Sequence, residues 1–182
     1  ETKEKLEFSH DGGIADFLVK IVADRGKAIT PPGATPFYLS RENGLKIEVA
    51  LAWTEGTDEH VRSYVNGIPT GSGGTHDAGL RAGVVKAVRN YIATHKLDPK
   101  GVTLTAEDLR EGLVAVVSLY ISEPQFQGQT KDRLNNPEVA GLVDSAVRTE
   151  LENYLNGSKQ VTEGLVARMI LAGRARPRCR TG

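Results

Sequence analysis

The sequence predicts an α+β fold in which helices pack against one mostly antiparallel sheet. Two observations indicate this class. Apolar and polar residues alternate along residues 45–54, as in a half-buried strand, whereas residues 113–121 are apolar at nearly every position, as in a central strand buried on both faces. Residues 12–26 and 77–95 instead carry apolar side chains at helical spacing. A chain of 182 residues is long enough to bury these elements in one large domain.

The composition is typical of a globular protein and excludes several classes. Apolar residues make up 39% of the chain and charged residues 25%. No apolar run approaches the roughly 20 residues that cross a bilayer. The formal net charge is zero, so binding to DNA would depend on local patches rather than on a global field. The single cysteine, Cys179, excludes an intrachain disulfide and suits a reducing cytoplasm.

In the first half of the chain, a helix is followed by two strands. Residues 12–26 form the helix, which Gly26 ends. A loop rich in Pro, Gly and Thr follows, and it leads to strands at 45–54 and 60–68. Only the short polar segment EGTDE separates the two strands. We therefore expect them to pair as a hairpin.

In the middle of the chain, a long helix, a short helix and the buried strand follow one another. The long helix covers residues 77–95. The sequence TAED, which begins at Thr105, has the spacing of a capping box and predicts a short helix there. The run LVAVVSLYI at 113–121 is the central strand of the predicted sheet.

Two further helices are predicted at the C-terminal end. Asn136 and Pro137 suit the N-cap and first positions of the first of them. Asn156-Gly157 ends that helix, and Ser158 begins a last one through about Leu171.

Few residues suggest chemistry. The four histidines show no metal-ligand spacing, so no metal site is predicted. Residues 71–76, GSGGTH, lack the spacing of a P-loop. They are explained either as a flexible loop before a helix or as a helix start that favours an anion. Glu107, Asp108 and Glu111 are interpreted as solvated or capping carboxylates rather than as a catalytic pair. No complete active site is predicted.

The polar loop after the central strand presents one lysine. In PQFQGQTKDRL (124–134), Lys131 follows Gln129 and Thr130. One explanation is a solvated loop lysine. The other is a cation that completes a site built elsewhere by reaching a phosphate that another domain holds, where it would stabilise the charge that develops in phosphoryl transfer. Gln129 could then orient a water molecule or donate to a phosphate oxygen.

Separated motifs in this chain resemble one protein family. NGIPTGSGGTHDAGLRAGV (66–84) and LTAEDLREGLVAVVSLYISEPQFQGQTKDRL (104–134) are similar to the second domain of the ATPase region of bacterial type II topoisomerases. This is the family of the gyrase B and topoisomerase IV ParE proteins. HDGGIADFL (10–18) resembles the start of the same domain, and the resemblance spans about residues 8–172.

The resemblance implies a fold and a domain organisation. The family calls this unit the transducer domain, and its fold is named after the second domain of ribosomal protein S5. Residues 1–10 would then be the end of, or the linker from, a preceding GHKL ATPase domain. Residues 11–172 would be the transducer domain, and residues 173–182 a basic C-terminal tail. Apart from the resemblance, the missing initiator methionine and the four arginines in the last ten residues are interpreted as signs that both ends are cut points in a longer protein.

The resemblance also implies site residues and cofactors. The GHKL domain, whose motifs are absent from these residues, would hold ATP and Mg²⁺. Lys131 would stabilise the γ-phosphate as a catalytic residue, and Gln129 beside it would contribute to nucleotide binding. Thr130 completes the motif without an assigned contact. Arg81 is a candidate for lining a cavity that holds the transported DNA duplex, and the alternative for Arg81 is a solvated helix arginine.

The implied function is to couple ATP binding and hydrolysis to DNA strand passage in the bacterial cytoplasm. The implied partners are a GHKL domain in cis, a second B-type subunit in a dimer, a gyrase A-type subunit and double-stranded DNA, with no membrane. The chain alone is expected to be inactive. The C-terminal RARPRCRTG departs from the family pattern and leaves an alternative: a truncated or divergent gyrase B-like interaction module without ATPase coupling. A stand-alone nucleic-acid-binding domain fits poorly with zero net charge. Gyrase and topoisomerase IV are both left open.

Overall fold

The fold combines one five-stranded sheet with helices on both of its faces. The computed structural model describes residues 13–31, 34–127 and 132–175. In chain order the elements are α1 (Gly13–Asp24), β1 (Phe37–Asn43), β2 (Leu45–Trp53), β3 (His60–Val65), β4 (Ile68–Pro69), α2 (Thr75–Thr94), α3 (Ala106–Arg110), β5 (Leu113–Tyr120), α4 (Pro137–Gly157) and α5 (Lys159–Ala175).

The sheet has β5 in the middle, as the sequence predicts. The strand order is β1-β2-β5-β3-β4. β5 pairs antiparallel with β2 and parallel with β3, while the two outer pairs are antiparallel. Every residue of β5 except Tyr120 is buried. The predicted α+β class, with a mostly antiparallel sheet, is confirmed.

The predicted hairpin between the strands at 45–54 and 60–68 is wrong. β2 and β3 do not pair, because β5 lies between them. A strand that is apolar on both faces is buried best with a neighbour on each edge, and β5 takes β2 on one side and β3 on the other. The short connection from β2 to β3 crosses the end of β5, where the Thr54 backbone N–H donates to the Gly112 carbonyl at 2.8 Å.

The sequence pattern also missed the edge strand β1. β1 forms a hairpin with β2, with Phe37 opposite Leu51 and Asn43 opposite Leu45. Its sequence, FYLSREN, mixes apolar and charged residues because one side of this strand faces solvent; Tyr38 is 48% exposed. Such a strand lacks the continuous alternation on which the prediction of β2 depended.

Two apolar cores lie on opposite faces of the sheet. The larger core packs α2, α4 and α5 against the sheet and includes Val117 and Leu119 of β5. The smaller core packs α1 against the other face and includes Val114 and Val116 of the same strand. Successive side chains of a strand point to opposite faces, so β5 contributes to both cores. The predicted helix at 12–26 therefore exists and covers one side of the sheet.

Helices α2 and α4 run parallel and in unusually close contact. A Cβ added at Gly79 would lie 2.5 Å from the Ala140 carbonyl oxygen, and one at Gly83 would lie 2.9 Å from that of Asp144. Farther along, the side chain of His95 is 3.1 Å from that of Asn156. The contacts advance together along both helices. The N-terminal ends of α2 and α4 therefore lie side by side, and so do the loops that precede them.

The predicted helix ends are mostly confirmed. The Thr105 hydroxyl accepts from the Asp108 N–H at 3.3 Å, and the Asp108 carboxylate accepts from the Thr105 N–H at 2.9 Å, which completes the capping box. Asn136 is the N-cap residue of α4, although its side chain does not cap the helix. α5 continues to Ala175, beyond the predicted end near Leu171. Within the described ranges, no helix combines the length and apolar character needed to span a membrane.

Candidate functional site

The loop that carries the predicted lysine begins and ends in a narrow antiparallel pair. The Gln127 N–H donates to the Arg133 carbonyl at 2.9 Å, and the Asn135 N–H donates to the Gln125 carbonyl at 2.7 Å. Phe126 and Leu134 form an antiparallel bridge between these hydrogen bonds. We call these paired segments, residues 125–127 and 132–135, the loop base. The predicted site residues Gln129 and Lys131, with Thr130, lie outside the described residues.

Asn136 fastens the loop base to the start of α4. Its side-chain oxygen accepts from the Gln125 N–H at 2.6 Å, and its side-chain nitrogen donates to the Glu123 carbonyl at 3.3 Å and to the Glu138 carboxylate at 3.1 Å. Asn136 is buried, so its side-chain amide depends on these partners for its hydrogen bonds. The sequence predicts an N-cap at this position, and the structure uses the amide to hold the preceding loop instead.

The glycine-rich segment GSGGTH packs against the loop base. The Ser72 N–H donates to the Asp132 carbonyl at 2.9 Å. The Leu134 N–H donates to the Gly73 carbonyl at 3.2 Å, and the Leu134 carbonyl accepts from the Thr75 N–H at 3.1 Å. These three hydrogen bonds form the loop-base contact, which joins residues 72–75 to residues 132–134. It links two motifs that are almost 60 positions apart in the printed sequence.

Gly74 is required by the closeness of this contact. Its backbone has φ 138° and ψ −163°, a conformation that residues with a side chain rarely adopt. A Cβ at this position would lie 2.5 Å from both the backbone nitrogen and the backbone oxygen of Leu134. Even alanine would therefore force the two segments apart. The spacing of the glycines predicts unusual dihedral angles here, but it does not reveal the partner.

His76 anchors the other end of the glycine-rich segment. It is fully buried, and its Nε2 lies 3.0 Å from the Thr70 hydroxyl. That hydroxyl donates to the Ser63 carbonyl of β3 at 3.0 Å, and the Thr70 carbonyl accepts from the Ser63 hydroxyl at 3.1 Å. His76 Nδ1 is buried and has no hydrogen-bond partner among the residues that the structure describes. Burial lowers the pKa of His76 to about 4, so the imidazole is neutral at pH 7.

We expect His76 to make folding pH-dependent between about pH 6.5 and 4. Because burial lowers the folded-state pKa from 6.5 to about 4, only the unfolded chain binds a proton at this residue in that window. The free energy of unfolding therefore decreases by about 3 kcal/mol as the pH falls from 6.5 to 4. Urea unfolding of the chain and of His76→Gln, measured at several pH values, checks this. His95→Gln, a change at an exposed histidine, is the control. An equal pH dependence in the His76→Gln variant would contradict the assignment.

Arg81 lies in a charged network at the start of α2. Its guanidinium group donates to the Asp77 carboxylate at 3.2 Å and forms an ion pair with Glu59. Glu59 also accepts from Arg110 at 3.1 Å. A DNA phosphate that contacts Arg81 would have to compete with these two carboxylates. Nothing in the spacing of the sequence revealed Glu59 as the residue that joins the two arginines.

The same network borders an open cleft of about 920 Å³. The carboxylates of Glu107, Asp108 and Glu111 lie at this cleft, and Asp108 also completes the capping box of α3. Among the described residues that line the cleft, five are carboxylates and three are arginines, so these side chains together carry a negative formal charge, which is unfavourable for a triphosphate. The lining residues are Arg25, Thr57, Asp58, Glu59, Arg81, Glu107, Asp108, Arg110, Glu111, Ala172 and Ala175. In the described part of the chain, no three His, Cys, Asp or Glu side chains are arranged to hold a metal ion.

Comparison with known proteins identifies the family. The family model described as DNA gyrase B matches residues 13–181. The chain belongs to the DNA gyrase B family. A curated relative in this family, the DNA gyrase B protein of Cytophaga hutchinsonii, is 37% identical over 179 residues, which cover 97% of this chain. The predicted family is thereby confirmed.

Solved structures place the similarity in the ATP-binding regions of a gyrase B protein and a topoisomerase IV protein. The 43K ATPase domain of Thermus thermophilus gyrase B, crystallised with an aminocoumarin, is 30% identical with a TM-score of 0.81, and the match covers 91% of this chain and 44% of that one. The topoisomerase IV ATP-binding domain of Francisella tularensis, in complex with a small-molecule inhibitor, is also 30% identical, with a TM-score of 0.76 and coverage of 91% and 43%.

This chain matches only part of each gyrase B relative. It spans 37% of the length of the Cytophaga hutchinsonii protein and 22% of that of the Chlamydia muridarum protein. Less than half of each solved ATPase-region chain is covered.

Proposed function

We propose that this chain is the transducer domain of an ATP-dependent type II DNA topoisomerase of the gyrase B type. It would couple ATP binding and hydrolysis in an adjoining GHKL domain to the passage of one DNA duplex through another. The observation that carries the proposal is the loop base. In a chain that belongs to the DNA gyrase B family, both ends of the loop that contains Lys131 are fixed by backbone hydrogen bonds.

Lys131 is the residue that would act on the nucleotide. A lysine ammonium that reaches the γ-phosphate stabilises the negative charge that develops during phosphoryl transfer. Gln129, two positions earlier, would donate to a phosphate oxygen or orient the attacking water. Fixing the ends of the loop reduces the conformational freedom that Lys131 loses when it makes this contact.

ATP and Mg²⁺ would be held mainly by the GHKL domain rather than by this chain. Two observations support this division. The large cleft carries more carboxylates than arginines, which suits neither a triphosphate nor its transition state. The described residues also lack a set of ligands for a metal ion. Bound ATP would supply the γ-phosphate and Mg²⁺ would neutralise part of its charge, while this chain would contribute Lys131 and Gln129.

Coupling would follow from a contact that exists only with the triphosphate. While the γ-phosphate is present, Lys131 would favour one orientation of the two domains, and loss of phosphate would remove that preference. The loop base lies directly before α4, and the glycine-rich segment lies directly before α2. A force on the loop would therefore reach the paired helices first.

The remaining partners are those of a type II topoisomerase in the bacterial cytoplasm. They are a second B-type subunit, a gyrase A-type subunit and double-stranded DNA. Arg81 is our candidate for contact with the transported duplex. For that contact the guanidinium group would exchange Asp77 or Glu59 for a DNA phosphate.

The test is ATP turnover by the natural polypeptide, including its GHKL domain, with and without Lys131→Ala. The matched control is Lys100→Ala, which removes an exposed loop lysine elsewhere in the chain. A large fall in turnover with the first variant and none with the second is expected. Unchanged turnover in both would instead favour an interaction module without ATPase coupling.

A further inference from the structure

We propose that Gly74 is a positioning residue for Lys131 and acts through the loop-base contact. This inference rests on the proposed function, because it concerns the same loop. It adds a residue that touches neither nucleotide nor metal. Gly74 would act through the backbone of Leu134, three residues after Lys131.

The loop-base contact is made by backbone atoms on both sides. Three hydrogen bonds, of 2.9, 3.1 and 3.2 Å, connect residues 72–75 to Asp132 and Leu134. Gly74 also forms a parallel bridge with Leu134, whose side chain is fully buried. Backbone contacts of this kind fix the path of the chain, because a hydrogen-bonded segment has little freedom to shift. Asp132, which accepts one of these bonds, is the residue directly after Lys131.

The glycine-rich segment is anchored on both sides, as the loop base is. Thr70 and His76, one on each side of it, are buried and joined to each other and to Ser63 of β3. On the other side, α2 is in contact with α4 through Gly79 and Gly83. Because Asn136 and the burial of Leu134 hold the loop base as well, an added side chain at position 74 would force the two segments apart and displace part of the loop base.

The size of that displacement decides the expected effect. The added Cβ would start 2.5 Å from two backbone atoms of Leu134. Ordinary contact between such atoms requires roughly 3.5 Å, so the two segments would separate by about 1 Å in all. A misplacement of about 1 Å in a catalytic group can cost about 100-fold in rate. Binding of ATP would change little, because the GHKL domain would hold most of the nucleotide.

The experiment measures kcat and KM for ATP in the natural polypeptide with Gly74→Ala, with Lys131→Ala and with both. We expect Gly74→Ala to lower kcat about 10- to 100-fold with KM within about twofold. If Gly74 acts only through Lys131, the double variant will be no slower than Lys131→Ala alone.

The matched control is Gly112→Ala. Gly112 also has a positive φ, of 75°, and its added Cβ would contact the carbonyl oxygens of Thr54 and Gly56. Gly112→Ala would therefore cause a backbone strain and a clash similar to those of Gly74→Ala. Gly112 contacts the β2–β3 connection, however, and lies away from the loop base. We expect Gly112→Ala to lose about as much stability as Gly74→Ala but to keep its kcat. An equal fall in kcat would mean that Gly74→Ala acts through general destabilisation, and would overturn the proposal.

A second variant tests the contact if Gly74→Ala fails to fold. Thr75→Pro removes the N–H that donates to the Leu134 carbonyl, and proline is tolerated at the first position of a helix such as α2. It should also lower kcat without an additional loss in the presence of Lys131→Ala. Unchanged kcat in Thr75→Pro, if it is the variant that folds, would overturn the proposal.

The patterns of outcome separate this inference from the proposed function. If Lys131→Ala lowers kcat and Gly74→Ala does not, only the positioning role is wrong. If both lower kcat and their effects multiply in the double variant, Gly74 acts independently of Lys131 and the inference is again wrong. If Lys131→Ala leaves kcat unchanged, the proposed function fails, and the role of Gly74 fails with it.

Discussion

Replacing Lys131 with alanine should lower ATP turnover by the natural polypeptide roughly 10²- to 10⁴-fold. This corresponds to about 3–5 kcal/mol of lost transition-state stabilisation. The reason is that phosphoryl transfer requires little covalent chemistry from the protein, so a cation aimed at the γ-phosphate accounts for a large share of the rate. Such a cation is most effective in a site from which water is excluded.

The kinetic constants distinguish this role from simple binding. We expect the loss to appear in kcat more than in KM, because the interaction is strongest in the transition state. Lys131→Arg should recover part of the activity, because it keeps the charge but presents a larger, planar group. A rise in KM with kcat unchanged in Lys131→Ala would show that the lysine only helps to hold ATP, which contradicts the catalytic role.

Replacing Leu119 with alanine should destabilise this chain by about 2–5 kcal/mol. Leu119 lies in the central strand and is fully buried in the larger core. Its truncation removes apolar contacts and leaves a cavity between the sheet and the helices, and a close-packed core fills such a cavity only in part. The free energy of unfolding in urea measures the effect.

Val116→Ala examines the opposite face of the same strand. Val116 is fully buried against α1 in the smaller core, and its truncation should cost somewhat less than that of Leu119, since fewer atoms are removed. Leu171→Ala is the control, because this leucine is 63% exposed and should change stability by less than about 0.5 kcal/mol. Neutral effects at both buried positions would contradict the central placement of β5.

The sequence predicted the elements better than it predicted their pairing. Helices α1, α2 and α4 and strands β2 and β5 have strong apolar patterns, because burial selects apolar residues at regular spacing. The β2–β3 hairpin was wrong because a short connection does not show that a later strand inserts between its two ends. Strand β1 was missed because an edge strand keeps polar side chains on its exposed side.

The candidate site was predictable only in part for a similar reason. Resemblance to a family singled out Lys131 and Gln129, whose positions remain predictions. The backbone hydrogen bonds of Gly73 and Thr75 with Leu134, on either side of Gly74, left no sign in either segment alone, since hydrogen bonds between main chains do not depend on side-chain identity. A glycine at position 74 indicates a close backbone approach, but only the folded structure shows that the partner is Leu134.

The parallel packing of α2 and α4 gives the fold a mechanical property. α2 has 20 residues and is therefore about 30 Å long. The helices are in contact near both ends, since Gly79 and Gly83 allow close approach at the proximal end and His95 lies 3.1 Å from Asn156 at the distal end. The pair can then act as one stiff lever arm, in which a tilt of about 5° at the loop end moves the distal end by about 3 Å over that ~30 Å length. Small displacements at the loop end would thus be amplified at the distal ends of both helices.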